Sequence, residues 1–405
     1  MNKCQEPDAE NPQVRWVDVI PTVQDGKEMF FIRDPEGISE GSLLVSREVL
    51  FLISLMDGTR GIRDLQEEYM KASGSPVHAE QISSVIGAMD KNYLLSNKRY
   101  EEHIRSIKEE YGSRPCRESF LSGKSYPTEE KELRTFLAEM LKEERQTGGG
   151  SVQGLIVPHI DYSRGAAVYK EIYKYLPDAD DLLIVILGTC HRMTPHMWNI
   201  SLKDFATPLG VAKNVRELGA VIRQDVSLKD CVEEWSHRNE HSIELQLPII
   251  QFLLKERNFQ ILPILTGSLH ECIVDGKSLD EDGLPELIAG LRRLLKKHNG
   301  PTLLIAAADL AHIGSQFGDS YRLDSVTLGE SSRKDKELLT RITEVDARGF
   351  FEEVKREGDR RRICGLAPIY FLLSLLAGSR GEMVRYDQWT DGASSVSFAG
   401  LVFYK

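Results

Sequence analysis

From residue 152 onward the chain repeats one pattern: a short unbroken apolar run, a polar turn, then a stretch with apolar residues at helical spacing. The runs are Val152–Val157, Leu182–Leu187, Phe259–Leu265 and Leu303–Ala308. A run this short and apolar at every position reads as a strand covered on both faces, and its alternation with helices reads as βα units. The expected fold class is therefore α/β, a mostly parallel central sheet flanked by helices. Val396–Phe403 adds a late strand, a candidate for the sheet edge. Ligands of such sheets bind beyond the carboxyl ends of the strands, so the residues directly after each run carry the most information.

Three of those positions hold histidines. One run leads into Pro158-His159-Ile160-Asp161-Tyr162, the next into Gly188-Thr189-Cys190-His191-Arg192, and a later one into Ala308-Asp309-Leu310-Ala311-His312. The chain has only 10 histidines, so three at one edge is a concentration. Trp235-Ser236-His237-Arg238-Asn239-Glu240-His241-Ser242-Ile243-Glu244 reads as the entry to a helix that places His241 and Glu244 on one face. Imidazole suits zinc, copper and iron, and a thiolate shifts the preference toward soft or redox-active metals. Arg361-Arg362-Ile363-Cys364-Gly365-Leu366-Ala367-Pro368 supplies a cysteine at a turn into an apolar helix, Ile369–Leu376, with arginines placed to lower its pKa. No GxGxxG or GxxxxGK[ST] follows any run, which removes the common nucleotide-binding readings.

A chain of 405 residues predicts two or three folded units. Residues 1–97 read as a small separate domain. Val14–Ile20 and Glu28–Ile32 flank the turn signal Asp25-Gly26 and predict a hairpin. Three helices follow: one capped by Ser46 and carrying Val49, Leu52, Ile53 and Met56, one carrying Ile62, Leu65 and Tyr69, and one carrying Ile82, Val85, Ile86 and Met89. Strands with three short helices suggest a winged-helix-like module. Its third helix, Ala79–Asp90, has no Lys or Arg, which argues against DNA reading. Residues 98–150 form a charged connecting helix with a stripe of Leu133, Phe136, Leu137, Met140 and Leu141, then a joint at Thr147-Gly148-Gly149-Gly150-Ser151. Residues 151–405 form the α/β domain.

Lys and Arg number 51 against 62 Asp and Glu, a net charge of -11 that speaks against nucleic acid or anionic membrane as chain-wide partners. The six cysteines, Cys4, Cys116, Cys190, Cys231, Cys272 and Cys364, show no CxxC spacing, so neither a disulfide framework nor a zinc ribbon is indicated, and a reducing cytoplasm is the expected location. The first residues lack a signal peptide's apolar core, and no apolar run approaches the roughly 18 residues of a membrane span.

Two resemblances emerge from these motifs. Leu43-Leu44-Val45-Ser46, Leu55-Met56-Asp57-Gly58-Thr59-Arg60 and Ile62-Arg63-Asp64-Leu65 resemble PqqD-like domains. This implies a peptide or protein bound beside the hairpin edge and third helix by strand addition; a module used only for packing or dimerisation is the alternative. From about residue 113 to 405 the chain resembles the Memo-like family, also called AmmeMemoRadiSam system protein B. The likeness rests on the three strand-end motifs above, Thr207-Pro208-Leu209-Gly210, Glu240-His241-Ser242-Ile243-Glu244-Leu245-Gln246-Leu247-Pro248, Asp309-Leu310-Ala311-His312-Ile313-Gly314 and Ile363-Cys364-Gly365.

That resemblance implies a fold like the class III extradiol dioxygenases and a redox-active metal, iron (Fe2+) or copper, held by His159, His191 and Cys364. It puts His241, Asp309 and His312 in acid–base or supporting positions, and its system name implies a radical SAM partner. The family's early Ser-His-Ala-Gly-Ser-Trp-Tyr motif is degraded here to Ser119-Phe120-Leu121-Ser122-Gly123-Lys124-Ser125-Tyr126, and Thr189-Cys190-His191-Arg192 stands where the family often has Ser-His-His.

The leading expectation is a metal-dependent oxidoreductase of dioxygenase-like type. A hydrolase or acyltransferase using Cys364 or Cys190 as nucleophile is a second reading, and a non-enzymatic scaffold that captures a peptide and docks a partner is a third. Asp309 is either a base or a loop cap, and His312 either an acid–base group or a structural donor. Cys190 reads as a buried small residue able to form a disulfide with Cys364 when metal is absent.

Overall fold

A computed structural model describes residues 11–39, 41–142, 151–192, 194, 196–255, 257–280 and 283–405. Cys4 and the joint at Thr147–Gly150 fall outside the described residues. The chain forms two compact units, Met1–Ser113 and Arg114–Lys405.

In the first unit, β1 (Asp18–Gln24), β2 (Lys27–Arg33) and β3 (Leu43–Ser46) make an antiparallel sheet in that order. Asp25 and Gly26 both have positive φ, 51° and 73°, the backbone of the tightest two-residue hairpin turn, so pairing runs up to Gln24 opposite Lys27. That turn moves the first strand relative to the Val14–Ile20 expected from the sequence. Val14 instead donates its N–H to Met56 O at 2.9 Å and, with Val17, packs against the helices. Ser46 caps α1 (Arg47–Ser54), its Oγ accepting from Val49 N, and α2 (Ile62–Ser73) stops at left-handed Gly74. With α3 (Ala79–Lys91), these helices bury Leu52, Ile53, Leu65, Tyr69, Ile82, Ile86 and Met89 around one core. The charged stretch from residue 98 is not one helix. Its first part, α4 (Lys98–Ser113), belongs to this unit: Arg15 lies 3.9 Å over the Tyr100 ring, and His103 stacks on Tyr93 at 3.7 Å.

The second unit is a mixed sheet of eleven strands: β4 (Cys116–Arg117), β5 (Val152–Val157), β6 (Leu182–Thr189), β7 (Trp198–Ile200), β8 (Asp204–Thr207), β9 (Gly210–Asn214), β10 (Phe259–Thr266), β11 (Thr302–Ala307), β12 (His312–Gly314), β13 (Arg380–Thr390) and β14 (Ser394–Tyr404). Its centre, β5-β11-β6-β10, is parallel throughout. The four apolar runs are these four strands. Their side chains alternate between two cores: Leu183, Val185 and Leu187 of β6 enter one, and Leu182, Ile184 and Ile186 the other. Helix Leu366–Leu375 closes the first face, while helices Glu130–Leu141 and Tyr162–Ile172 close the second. Each aliphatic side chain so buried contributes roughly 1.5–3 kcal/mol, which is why unbroken apolar runs were needed here.

The late strand is not an edge. β14 pairs with β5 and β12 on one side and with β13 along the other, and is buried along nearly its whole length. The strands that shield it are absent from the sequence expectation because β12 is three residues long and β13 is largely polar.

Candidate metal centre

The parallel order places the carboxyl ends of β5, β11 and β6 side by side, so residues far apart in the chain meet there. His159 follows β5, Asp309 follows β11 and His191 follows β6. His159 is buried, 2% exposed, and its Nδ1 donates to Ala307 O at 2.9 Å. A ring nitrogen that donates to a carbonyl leaves the other as a lone pair. That other nitrogen, Nε2, lies 3.4 Å from Cys364 Sγ. One ligand atom each from His159, His191 and Cys364 fits within 4.8 Å, so the structure brings together the three residues named for a metal.

Cys364 reaches the site on a turn stitched to two strand ends. Thr189 Oγ1 donates to Cys364 O at 3.1 Å, and Gly365 N donates to Asp309 O at 3.0 Å. The residue after the cysteine must be glycine, because a Cβ there would stand 2.4 Å from Asp309 O and 2.7 Å from Ala308 Cβ. The arginines do not act as the sequence suggested. Arg361 is buried against Asp335 and Glu357, and Arg362 pairs with Asp319 at 2.8 Å. Loss of water and the Asp309 carboxylate push the Cys364 thiol well above its ordinary value instead.

The remaining named residues surround this cluster. Asp309 is buried; its Oδ1 accepts His159 N at 3.0 Å and its Oδ2 lies 3.6 Å from His159 Nε2. Burial raises its pKa, partly offset by His312. Burial lowers His312, with Asp309 opposing, and His312 Nδ1 donates to Leu310 O at 3.1 Å. Burial, then the neighbouring His191 and His241, hold His159 well below its usual value. His191 and His241 are half-exposed, 36% and 37%, with rings stacked 4.6 Å apart. Burial lowers His191, but the Glu240 carboxylate outweighs it and the net shift is upward. Cys190 is a partly exposed free thiol whose pKa burial pushes up to about 12.

His241 and Glu244 do not share a helical face. Residues 242–245 form turns, and the helix begins at Gln246. Glu244 turns away from the histidines into a buried pair with Arg117 at 2.7 Å, and accepts Phe120 N, Leu121 N and Tyr126 Oη at 3.0, 2.7 and 2.6 Å. The degraded segment Ser119–Tyr126 is therefore the anchor of the loop that carries His241.

Glu240 carries a larger part than the sequence suggested. It is 4% exposed and lies within hydrogen-bond distance of both His191 and His241. Its signal was an acidic residue directly before a histidine in a turn. A cleft of about 500 Å³ opens beside the cluster, walled by Thr189, His191, Arg192, His270, Cys364 and Leu366.

Fold and cluster together define an α/β protein with a candidate metal centre at the carboxyl edge of its sheet. The chain belongs to the Memo-like family, whose model, described as Memo-like protein, matches residues 117–402. A MEMO1 family protein of Aquifex aeolicus is 30% identical over 402 residues, covering 97% of this chain and 100% of that one. One from Thermus thermophilus is 29% identical over 357 residues, 86% and 100% of the two chains, and one from Methanosarcina barkeri is 28% identical over 278 residues, 67% and 92%. A solved structure of an uncharacterized protein from Escherichia coli K12 aligns with 63% of this chain and 100% of its own at 10% identity and a TM-score of 0.34, too low to speak for a shared fold. Among the described residues no helix is long and apolar enough to cross a membrane.

Proposed function

We propose that the second unit is a metal-dependent oxidoreductase of dioxygenase-like type, using iron, with copper as the alternative, at His159, His191 and Cys364. The observation that carries this is the 3.4 Å approach of His159 Nε2 to Cys364 Sγ, with His159 Nδ1 committed to Ala307 O. A carbonyl that accepts from the far ring nitrogen in this way fixes a ligating histidine's tautomer. Two imidazoles and one thiolate suit an oxidisable metal, and three protein donors leave further coordination positions open. Such a metal, when bound, supplies Lewis acidity and one-electron chemistry at those positions.

The chain's own groups handle protons around it. Asp309, its pKa raised by burial, is suited to hold a proton beside His159, and His312, kept neutral by burial, is suited to accept one. His241, half-exposed and stacked on His191, is placed to meet a substrate that approaches the cluster. The nucleophile reading is less favoured, because the neighbouring arginines are engaged elsewhere and the Cys364 thiol is held neutral. Anaerobic purification with metal analysis tests the proposal. The wild-type chain is expected to retain about one iron or copper, and His159→Ala, His191→Ala and Cys364→Ala to lose it; equal metal content in all four sinks it.

A second reading concerns the first unit, which we propose recruits a peptide or protein, with a radical SAM protein as the family's system name suggests. It is supported by β1, an edge strand of its sheet that exposes Val19, Ile20 and Val23. Val19→Lys with Val23→Lys in the full chain is expected to abolish association with a co-expressed radical SAM partner while leaving metal content unchanged. If the partner binds only through this unit and metal is never found, the scaffold reading prevails.

A further inference from the structure

Glu240 sits between two histidines that do different work, and its surroundings determine which nitrogen of each carries the proton. Its Oε2 accepts His191 N at 2.9 Å; its Oε1 accepts His241 N at 2.8 Å and Ser242 N at 3.1 Å. That same Oε1 is 3.0 Å from His191 Nδ1 and 3.1 Å from His241 Nδ1. An ionised carboxylate only accepts hydrogen bonds, so each Nδ1 at this distance carries its ring's proton, and a neutral imidazole has one such proton to place.

We propose that Glu240 is a positioning residue that locks His191 and His241 together as Nδ1–H tautomers, leaving the Nε2 lone pair of each free. Three backbone N–H groups hold the carboxylate, so it directs the rings rather than following them. The rings stack within 17° of parallel, each with its Nδ1 on the same oxygen. Another use of these atoms is conceivable on distance alone, since His191, Glu240 and His241 offer ligand atoms within 4.8 Å of one another. Oε1, the oxygen that faces both rings, already takes two backbone and two ring donors, leaving it no lone pair for a cation.

The consequence for the metal rests on the function proposed above; the tautomers do not. His191 offers its freed Nε2 to the three-donor cluster. His241, outside that cluster, keeps its own for a hydrogen of the substrate. One carboxylate thereby couples a ligand to a proton-handling group.

The test is nitrogen NMR of the metal-free full chain labelled with ¹⁵N-histidine, at alkaline pH, with assignments from His191→Asn and His241→Asn. Both rings are expected as Nδ1–H; an Nε2–H tautomer at either overturns the inference. Glu240→Met, which removes both acceptor oxygens at similar size, is expected to move the proton to Nε2 at one ring or both and to weaken anaerobic Fe(II) binding about 10–100-fold. Unchanged tautomers in that variant overturn the inference even if affinity falls. Nδ1–H tautomers in a wild-type chain that binds no Fe(II) support it while sinking the metal reading.

Discussion

His159 Nε2 and Cys364 Sγ approach to 3.4 Å across 205 positions of sequence. In the metal-free chain the thiol is neutral, its pKa pushed well above the ordinary value by loss of water and by Asp309. Metal uptake must therefore release the thiol proton. Fe(II) affinity is expected to rise about tenfold per pH unit around neutrality, and more steeply on the acid side, where His191, with its raised pKa, must also deprotonate. Anaerobic titrations across pH measure this slope, and a flat profile contradicts thiolate ligation.

Gly365→Ala is the smallest change aimed at the same contact. The added methyl would press on Asp309 O and Ala308 Cβ, and backbone cannot yield as a flexible side chain does. We expect a folded chain destabilised by about 1–3 kcal/mol, with metal retention largely lost. Denaturant unfolding beside metal analysis separates the two effects; full retention would show that the turn's position is not critical.

Arg117 and Glu244 form a pair with side chains 1% and 0% exposed. Removing one partner leaves a buried charge unmatched, so Arg117→Ala is expected to cost about 3–5 kcal/mol, and the double replacement Arg117→Met with Glu244→Gln distinctly less. Equal losses from the single and double variants would mean that packing, not charge, dominates.

Stability is expected to fall as pH drops from about 7 to about 5. Burial lowers the pKa of His159, His312 and His237, the last to about 4. In that window the unfolded chain binds protons that these three folded histidines refuse, which favours unfolding. His191, shifted upward, contributes in the opposite sense but is one group against three. Thermal unfolding of the metal-free chain at the two pH values checks the sign, and a higher midpoint at the lower pH would refute it.

The sheet's centre was legible because a strand covered on both faces must be apolar at every position, and the histidines were legible because they follow such strands. The His241 loop was not. Its Asn239–Leu245 stretch has helix-compatible spacing, but Glu244 finds four buried donors on residues 117–126, and that demand overrides local propensity. Glu240 escaped notice because its burial depends on His191, 49 positions away, which no local pattern encodes. The arginines before Cys364 misled because adjacency in sequence says nothing about direction: Arg361 points to Asp335, on the helix Ser325–Thr343.

The clasp around Glu244 also fixes where the second unit can be cut. A fragment starting at Val152 would keep every strand of the parallel centre yet strip Glu244 of its guanidinium, two backbone N–H groups and a tyrosine hydroxyl. The orphaned carboxylate would then lie four residues from the one that steadies His191 and His241. The shortest fragment able to hold the His241 loop in place must therefore include Arg117, the same residue at which the family's likeness to this chain begins.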